Sequence, residues 1–359
     1  LALWVVPQSL KRFVAVGEHG SGRVMDAARQ TLIRVYLNSS VVLLGGSPLI
    51  ARWLLGDGSH SAAVCAGLGF ILAQVVIQTA VAFEQGRMQF LRAAVINGVS
   101  GMSFLAGSCA GAVLGGVLGA VIGLGLSSGC LALYLLWTNE ALLHGDRATP
   151  ETLRRVARFS SLTVVSAGLV WPVLFLGQAI LQEASGYEQV ALFAAARPWF
   201  QGIILIPTIV ARTSLPLASR EYAGGDRRAL FALIGGGAVA GVLTVLPVAA
   251  GLWFWPHLVA GLYGSGFEGA VDVLQILAAT ALLIGLHLSF GQVPAVMDRM
   301  EIGIIINLVW AGTFLSLAWI LSPTGASGLA LALLVAYGVN AAITIAASSY
   351  LMRRLPHGA

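Results

Sequence analysis

The sequence predicts an all-α integral membrane protein, and three observations support that prediction. Hydrophobic residues make up 58% of the 359 residues and charged residues only 10%, with a mean hydropathy of +0.87. Soluble domains average about 45–50% apolar and about 25% charged residues. Long apolar segments follow one another along the chain, and the basic residues are sorted between the loops that separate them. A chain so poor in charge cannot cover the surface of a soluble domain.

The apolar segments have the length that a membrane-spanning helix requires. Such a helix needs about 20 apolar residues, because about 30 Å of hydrocarbon is crossed at about 1.5 Å per residue. The segments predict ten full spans after an N-terminal stub over residues 1–10. The spans are predicted at residues 32–55, 61–83, 90–109, 112–137, 158–181, 189–212, 229–253, 271–296, 301–321 and 326–351.

The basic residues fix the predicted orientation. If the spans alternate in direction, one set of loops holds 18 of the 20 lysines and arginines, and the exceptions are Arg52 and Arg197. Cytoplasmic loops are the ones enriched in Lys and Arg. We therefore expect a multi-pass protein of the cytoplasmic membrane with a cytoplasmic C-terminus. The net charge of +5 then reflects topology, and no nucleic-acid partner is expected.

The chain resembles itself at a spacing near 209 residues. Residues 48–58 align with residues 256–266 without a gap, and Arg87-Met88 lies over Arg299-Met300. Two parallel repeats of six helices each are the expected result, with twelve helices in the intact protein. We expect an N-terminal lobe over 1–140 that lacks its first one to two helices. A cytoplasmic linker is predicted over 141–157 and a C-terminal lobe over 158–359.

The motifs at the helix ends resemble those of the polysaccharide and lipid-linked oligosaccharide flippases (Wzx-like) of the MATE-like MOP superfamily. The resemblance covers essentially the whole chain and is clearest at residues 207–228, 262–268, 291–299 and 323–328. It implies a two-lobed MATE-like bundle that moves a polyprenyl-pyrophosphate-linked oligosaccharide across the membrane by alternating access, with a cleft between the lobes. It also implies membrane lipids, glycosyltransferases and a glycan polymerase as partners.

Arg197 is the charged residue that the sequence places well inside a span. Its span carries small residues before it and Pro198 after it. Charges inside the membrane are costly and mark functional sites by default. The guanidinium offers a planar fork that matches phosphate oxygens, so we expect Arg197 to bind the substrate pyrophosphate or an acidic sugar. The alternative is that Arg197 extends outward to Glu188 or the lipid headgroups.

Other polar residues within the spans are candidates for binding sugar hydroxyls. Each of them has inter-helix hydrogen bonding as its alternative role. His287 has a proton relay as a further alternative. The predicted substrate-binding set is Arg197, Gln201, Gln74, Gln78, Asn38, His287 and Gln292. Further polar residues in or near spans are Asn97, Gln178, Asn307 and Asn340.

The sequence argues against an enzyme. It contains no HExxH motif, GxSxG motif or phosphate-binding loop ending in Lys-Ser/Thr, and no carboxylate pair near the membrane midplane. Cys65, Cys109 and Cys130 form no metal-binding pattern, so neither a metal nor another cofactor is expected. Two alternatives to a flippase remain. One is a Na⁺- or H⁺-coupled multidrug antiporter of the MATE type, and the other is a non-transporting scaffold for glycan synthesis.

Overall fold

The structure is a computed structural model that describes residues 2–16, 21–55, 61–143, 146–261 and 267–354. These residues form helices joined by short turns, and none of them lies in a β-strand. The predicted all-α fold is therefore confirmed. Two compact units divide the chain, Leu1–Val164 (unit 1) and Val165–Ala359 (unit 2). Parts of the predicted repeat, linker and family motifs lie outside the described residues, namely Gly56, Asp57, Gly58, His144, Gly145 and residues 262–266.

Unit 1 contains four long or medium helices, one short helix and the start of a further helix. The predicted stub continues as a helix beyond residue 10, so Lys11 and Arg12 lie inside α1, where both side chains are buried. Its helices are α1 (Ala2–Val16), α2 (Ser21–Leu55), α3 (Ser61–Gly86), α4 (Phe90–Thr138), α5 (Glu140–Leu143) and the first part of α6 (Pro150–Gly168).

Helix α4 is a hairpin of two antiparallel arms. Gly115 and Gly116 interrupt it with non-helical backbone angles, and Gly116 has a φ of +58°. Glycines line the seam between the arms. A Cβ atom placed on Gly111 would lie 2.1 Å from the carbonyl oxygen of Gly119, and one on Gly123 would lie 2.2 Å from that of Gly107. The two arms correspond to the predicted spans 90–109 and 112–137, with the turn displaced by a few residues.

Unit 2 contains the remaining helices. Gly186, with a φ of +82°, interrupts α7 within the predicted interval between spans 158–181 and 189–212. A bend of 45° at Ile204 separates α7 from α8. The helices are the end of α6, α7 (Val170–Ile203), α8 (Leu205–Ala223), α9 (Arg227–Phe254), α10 (Pro256–Ala260), α11 (Ala270–His287), α12 (Val293–Val296), α13 (Met300–Leu321) and α14 (Ala326–Arg353).

The core of unit 2 is built around aromatic and aliphatic side chains from α7, α11, α13 and α14. Trp310 and Phe314 stack with their ring centroids 5.9 Å apart, and both are 1% exposed. Leu181, Leu277 and Leu329 are also fully buried in this cluster. Burial of such side chains contributes about 1.5–3 kcal/mol each in water, whereas in lipid the close packing itself provides the stabilisation. The cluster therefore fixes the helices that carry the polar residues described below.

Six described helices are long and apolar enough to cross a membrane, or seven if the bent pair α7–α8 forms one span. The chain is therefore a multi-pass membrane protein. This number is lower than the predicted ten because α4 and the α7–α8 pair each contain two of the predicted spans, and because α2, which contains the predicted span 32–55, is not among the seven. The outer surface of α4 is almost entirely apolar and exposed, with Val113 and Leu114 each 87% exposed, as expected for a surface in contact with lipid.

The backbone reproduces the internal repeat. Helices α3 and α11 begin at Ser61 and Ala270, 209 residues apart, and α4 and α13 begin at Phe90 and Met300, 210 residues apart. The sequence alignment of Arg87-Met88 with Arg299-Met300 is wrong by two residues. A residue with a left-handed backbone conformation lies two residues before α4 and before α13, namely Met88 (φ +62°) and Asp298 (φ +59°). Met88 therefore corresponds to Asp298 in the repeat.

Candidate functional site

Arg197 lies in the second arm of α7 and is half-buried. Its guanidinium carbon sits 5.2 Å from the ring centroid of Trp171, in cation–π contact. Ala195 and Ala196 beside it are buried, so this part of the helix packs closely on its neighbours. Tyr337 on α14 is close enough to interact electrostatically with Arg197. The cation therefore lies against the Trp171 ring, with Tyr337 within electrostatic range.

Gln201 shares a helix face with Arg197. The two residues are four positions apart on α7, which places them one above the other. Gln201 is exposed. Pro198 lies between them and removes one backbone N–H from the helix. The guanidinium of Arg197 and the amide of Gln201 are thus neighbours on α7, next to the position where Pro198 removes a helix hydrogen bond.

His287 and Gln292 line a polar cavity of about 200 Å³ inside unit 2. The cavity lies where α11 ends at His287 and the chain passes through a 3₁₀ turn, Phe290–Gln292, into α12. Irregular backbone at membrane depth is tolerated where it is buried in protein or lines a cavity. The interruption was not predicted, since the sequence indicated one continuous span over 271–296. The polar residues that complete the lining are Ser166, Asn307, Asn340 and Thr344.

Hydrogen bonds hold most of these polar groups in place. Asn307 Nδ2 donates to the carbonyl oxygen of Ser166 at 3.0 Å and contacts its Oγ at 2.8 Å. Thr344 Oγ1 lies 3.4 Å from Asn340 Oδ1. His287 Nδ1 lies 2.7 Å from the carbonyl oxygen of Leu283, which assigns the proton to Nδ1 and leaves Nε2 as an acceptor. The lining is therefore uncharged when His287 is neutral.

Tyr337 connects the two groups of residues in unit 2. Its ring centroid lies 6.2 Å from that of His287 and 5.4 Å from that of Trp310. Because Tyr337 also interacts with Arg197, one aromatic side chain neighbours both the cation and the polar cavity. The sequence singled out neither Tyr337 nor Trp171. An aromatic residue in an apolar span carries no signal of its own until the fold shows its neighbours.

The remaining predicted residues belong to unit 1. Gln74 and Gln78 are half-buried, one turn apart on α3, and Asn38 on α2 is exposed. Within each unit the structure brings together His287 with Gln292, Arg197 with Gln201, and Gln74 with Gln78. Ser166 and Thr344 had been missed, because single hydroxyl groups in a span are common. The assignment of all seven residues to a substrate site stays a prediction.

Two carboxylates are buried among the described residues, and both lie in unit 1. Asp26 is 6% exposed and Glu84, near the end of α3, is 3% exposed. The backbone N–H of Ala148 donates to Asp26 Oδ2 at 2.9 Å, and this bond holds the pKa of Asp26 below its ordinary value, assisted by Gln30 and Arg29 and opposed by burial. Glu84 Oε2 has no hydrogen-bond partner among the described residues.

The described residues offer no group of three or more His, Cys, Asp or Glu side chains that could hold a metal ion. Cys65, Cys109 and Cys130 are free cysteines. The candidate residues of unit 2 described above thus offer the guanidinium of Arg197, aromatic faces, an imidazole, amides and hydroxyl groups.

Comparison with known proteins identifies the fold. No protein-family model and no curated protein sequence matches the chain. Among solved structures, a MATE protein in complex with MaL6 matches with a TM-score of 0.87 at 16% identity. A MOP superfamily transporter from Pyrococcus furiosus gives the same values, and an outward-facing multidrug resistance MATE transporter gives a TM-score of 0.81 at 16% identity. Each match covers 99% of this chain and 84% of the other. The chain therefore has the MATE-like fold.

Proposed function

We propose that this protein is a flippase that moves a polyprenyl-pyrophosphate-linked oligosaccharide across the cytoplasmic membrane by alternating access. The observation that supports this proposal most directly is the charge of unit 2. Arg197 is half-buried there, whereas both buried carboxylates among the described residues lie in unit 1. A transporter of cations needs a buried acid, and a transporter of a pyrophosphate needs a cation.

Arg197 suits a pyrophosphate for two reasons. A guanidinium stays charged at any physiological pH and offers paired N–H donors to phosphate oxygens. Its cation–π contact with Trp171 orients the guanidinium without neutralising it, because an aromatic ring carries no net charge. In this proposal Arg197 binds the pyrophosphate and Gln201 binds a neighbouring sugar hydroxyl.

The polarity of the pocket is also what distinguishes one structural neighbour. The Pyrococcus furiosus transporter is described as having a binding pocket of reversed polarity that suggests a different function. A pocket of reversed polarity within this fold supports the proposal of a substrate other than a drug cation. The proposal takes His287, Gln292, Gln74, Gln78 and Asn38 as further hydroxyl-binding residues, and glycosyltransferases and a glycan polymerase as neighbours in the pathway.

The test is complementation of a strain that lacks the gene. The deletion strain should accumulate a lipid-linked oligosaccharide on the cytoplasmic side, and the wild-type protein should relieve the accumulation. Arg197→Ala should fail to relieve it, and Arg197→Lys should relieve it only in part, because a lysine keeps the charge but loses the fork. Arg353→Ala is the matched control, since Arg353 is exposed in the last turn of α14. Full relief by Arg197→Ala at wild-type protein level would contradict the role of Arg197.

Glu84 supports a second candidate function, a cation-coupled multidrug antiporter of the MATE type. A buried carboxylate with one oxygen lacking a hydrogen-bond partner among the described residues is a group that binds a proton or a cation. If this function holds, deletion of the gene should increase sensitivity to cationic drugs without accumulation of any lipid-linked sugar. Glu84→Gln should then abolish resistance while Arg197→Ala preserves it, which is the reverse of the pattern expected for a flippase.

A further inference from the structure

An apolar groove of about 200 Å³ runs along one face of unit 1. Helices α2, α3, α4 and α5 contribute its walls. Met25, Leu32 and Val75 form a floor in which each side chain is at most 8% exposed. The rim is open, since Ile33, Leu37 and Leu72 are 46–57% exposed. The groove is therefore accessible from the surface of the unit and is lined by hydrocarbon.

The polar atoms inside the groove are already bonded to the backbone. Tyr36 donates its hydroxyl to the carbonyl oxygen of Leu68 at 3.3 Å, and Thr79 donates to that of Val75 at 2.6 Å. Both hydroxyl hydrogens are thus already used, and the interior offers no free hydroxyl donor to a sugar or a peptide. An aliphatic chain is the ligand chemistry that it fits.

Arg29 lies at one end of the groove and changes the chemistry there. Its Nη2 donates to Asp26 Oδ1 at 2.5 Å, which orients the guanidinium, and its side chain remains 40% exposed. Arg23 and Arg34 on the same helix are exposed as well. Three arginines against the single carboxylate of α2 leave this end positive. Such an end attracts the phosphate of an anionic lipid.

The length of the groove matches one leaflet of a bilayer. Its residues on α2 run from Met25 to Leu37, which corresponds to about 18 Å of helix at about 1.5 Å per residue. Half of the hydrocarbon core is about 15 Å thick. From Arg29 to Leu37 the groove follows about 12 Å of helix, so a lipid chain that begins beside Arg29 would lie in the groove across most of one leaflet.

The internal repeat shows that Arg29 is not required by the fold. At the repeat spacing of 206 residues between the starts of α2 and α9, and of 209 between those of α3 and α11, the counterpart of Arg29 falls within Gly235–Ala238. That segment is Gly-Gly-Gly-Ala and carries no charged side chain. An arginine at this position within the helix is thus a property of unit 1 alone, although α9 also begins with two arginines, Arg227 and Arg228.

We propose that this groove is a binding site for an anionic phospholipid of the leaflet on the basic side. One acyl chain lies against Leu32 and Val75, and the phosphate lies at Arg29. The site is separate from Arg197, and the inference does not depend on which substrate the protein carries.

The test is native mass spectrometry of the purified full chain with phosphatidylglycerol or phosphatidylcholine as the probe. We expect phosphatidylglycerol to bind at least fivefold more tightly. Val76→Trp should abolish this binding by filling the groove, and Arg29→Gln should weaken it about fivefold, which corresponds to one basic contact at the membrane surface. Arg29→Lys should retain binding within twofold.

Two control variants address nonspecific effects. Arg92→Gln removes an exposed arginine of α4 that does not line the groove, and Val95→Trp adds the same bulk at an exposed position of α4. Both should bind phosphatidylglycerol as the wild type does. Equal binding of the two lipids, or unchanged binding by Val76→Trp, would overturn the proposal. So would a dimer that Val76→Trp abolishes without altering lipid binding, because the occupant would then be a second copy.

Discussion

Met88 and Asp298 adopt the same left-handed backbone conformation at the same place in two helix ends, 210 residues apart. In both cases the backbone N–H of the following residue donates to the carbonyl oxygen five residues earlier. Gln89 N donates to Glu84 O at 2.8 Å, and Arg299 N donates to Pro294 O at 2.7 Å. This is the Schellman arrangement, in which glycine is the usual left-handed residue. After α8 the same position is held by Gly225, with a φ of +75°.

Replacing Met88 with glycine should stabilise the protein. A left-handed conformation costs an L-residue about 1–2 kcal/mol, and this cost exceeds the about 0.5–1 kcal/mol of extra entropy that glycine loses on folding. The midpoint of thermal unfolding in detergent should therefore rise for Met88→Gly. Asp298→Gly should give a smaller rise, because aspartate tolerates this conformation better. The control is Gly225→Ala, whose added Cβ meets nothing within 4 Å, and which should lower the midpoint. A fall for Met88→Gly would contradict the prediction.

The seam of the α4 hairpin should not accept side chains. Gly111→Val would place a Cβ atom 2.1 Å from the carbonyl oxygen of Gly119, so the arms would have to separate. We expect a loss of about 1–3 kcal/mol, as for other overpacked sites. Gly101→Val in the same arm meets nothing within 4 Å and is the matched control. Unfolding midpoints of the two variants should differ clearly, and equal midpoints would rule out tight packing at the seam.

Asp26 should stabilise unit 1 in a pH-dependent way. Because the folded-state pKa of Asp26 is lowered, the unfolded chain binds its proton more readily than the folded chain does. The contribution of Asp26 is therefore complete above its ordinary pKa near 3.8 and is lost as the pH falls through the lower folded value. At pH 7 we expect Asp26→Asn to cost about 2 kcal/mol, the loss expected for hydrogen bonds to a charged group.

The measurement is the unfolding midpoint of the wild type and of Asp26→Asn between pH 7 and pH 3. The gap between the two proteins should stay constant down to about pH 4 and narrow below it. Glu140→Gln is a suitable control, because Glu140 is exposed. A difference between the two unfolding midpoints that grows as the pH falls would contradict the prediction.

Trp171 should assist transport through its contact with Arg197. A cation–π interaction at a partly exposed site contributes about 0.5–1 kcal/mol, which corresponds to a two- to fivefold effect. If the flippase function proposed above holds, Trp171→Leu should reduce flipping of the lipid-linked oligosaccharide in reconstituted vesicles by that factor, and Trp171→Phe should reduce it less. Trp319→Leu, at a site 68% exposed on α13, is the control for loss of a surface tryptophan. Identical rates for all three variants would separate Trp171 from the function of Arg197.

The fold was predictable from the sequence because apolar length and the sorting of arginines are properties of the linear chain. The positions of the breaks within helices were less predictable from the sequence. The turn of α4 falls at Gly115 and Gly116, and a run of several glycines gives no indication of which one takes a positive φ. The bend at Ile204 and the interruption after His287 lie just before Pro207 and Pro294, and a proline removes a backbone N–H and crowds the carbonyl four residues earlier. A proline can also be accommodated within a helix, as Pro216 is in α8, so the sequence alone does not place these breaks.

The candidate site was predictable in its residue types and not in its grouping. The position of a residue in a predicted span indicates its depth in the membrane, and this is how the sequence identified Arg197 as a candidate. Neighbours across helices depend on helix rotation, so the placement of Tyr337 beside both Arg197 and His287 required the structure. Likewise, Glu84 lies near a helix end, as its sequence position indicated, yet its side chain is buried by the surrounding fold.

The glycine seam of α4 also bears on how the chain enters the membrane during synthesis. Contacts between Gly111 and Gly119, or between Gly107 and Gly123, join residues close in sequence and form as soon as both arms have left the ribosome. The backbones approach closely enough for Cα–H···O contacts, and the two arms can pass from the translocon into lipid as one preassembled unit. A bulky residue in the seam would therefore act first on insertion efficiency, before any effect on the finished protein.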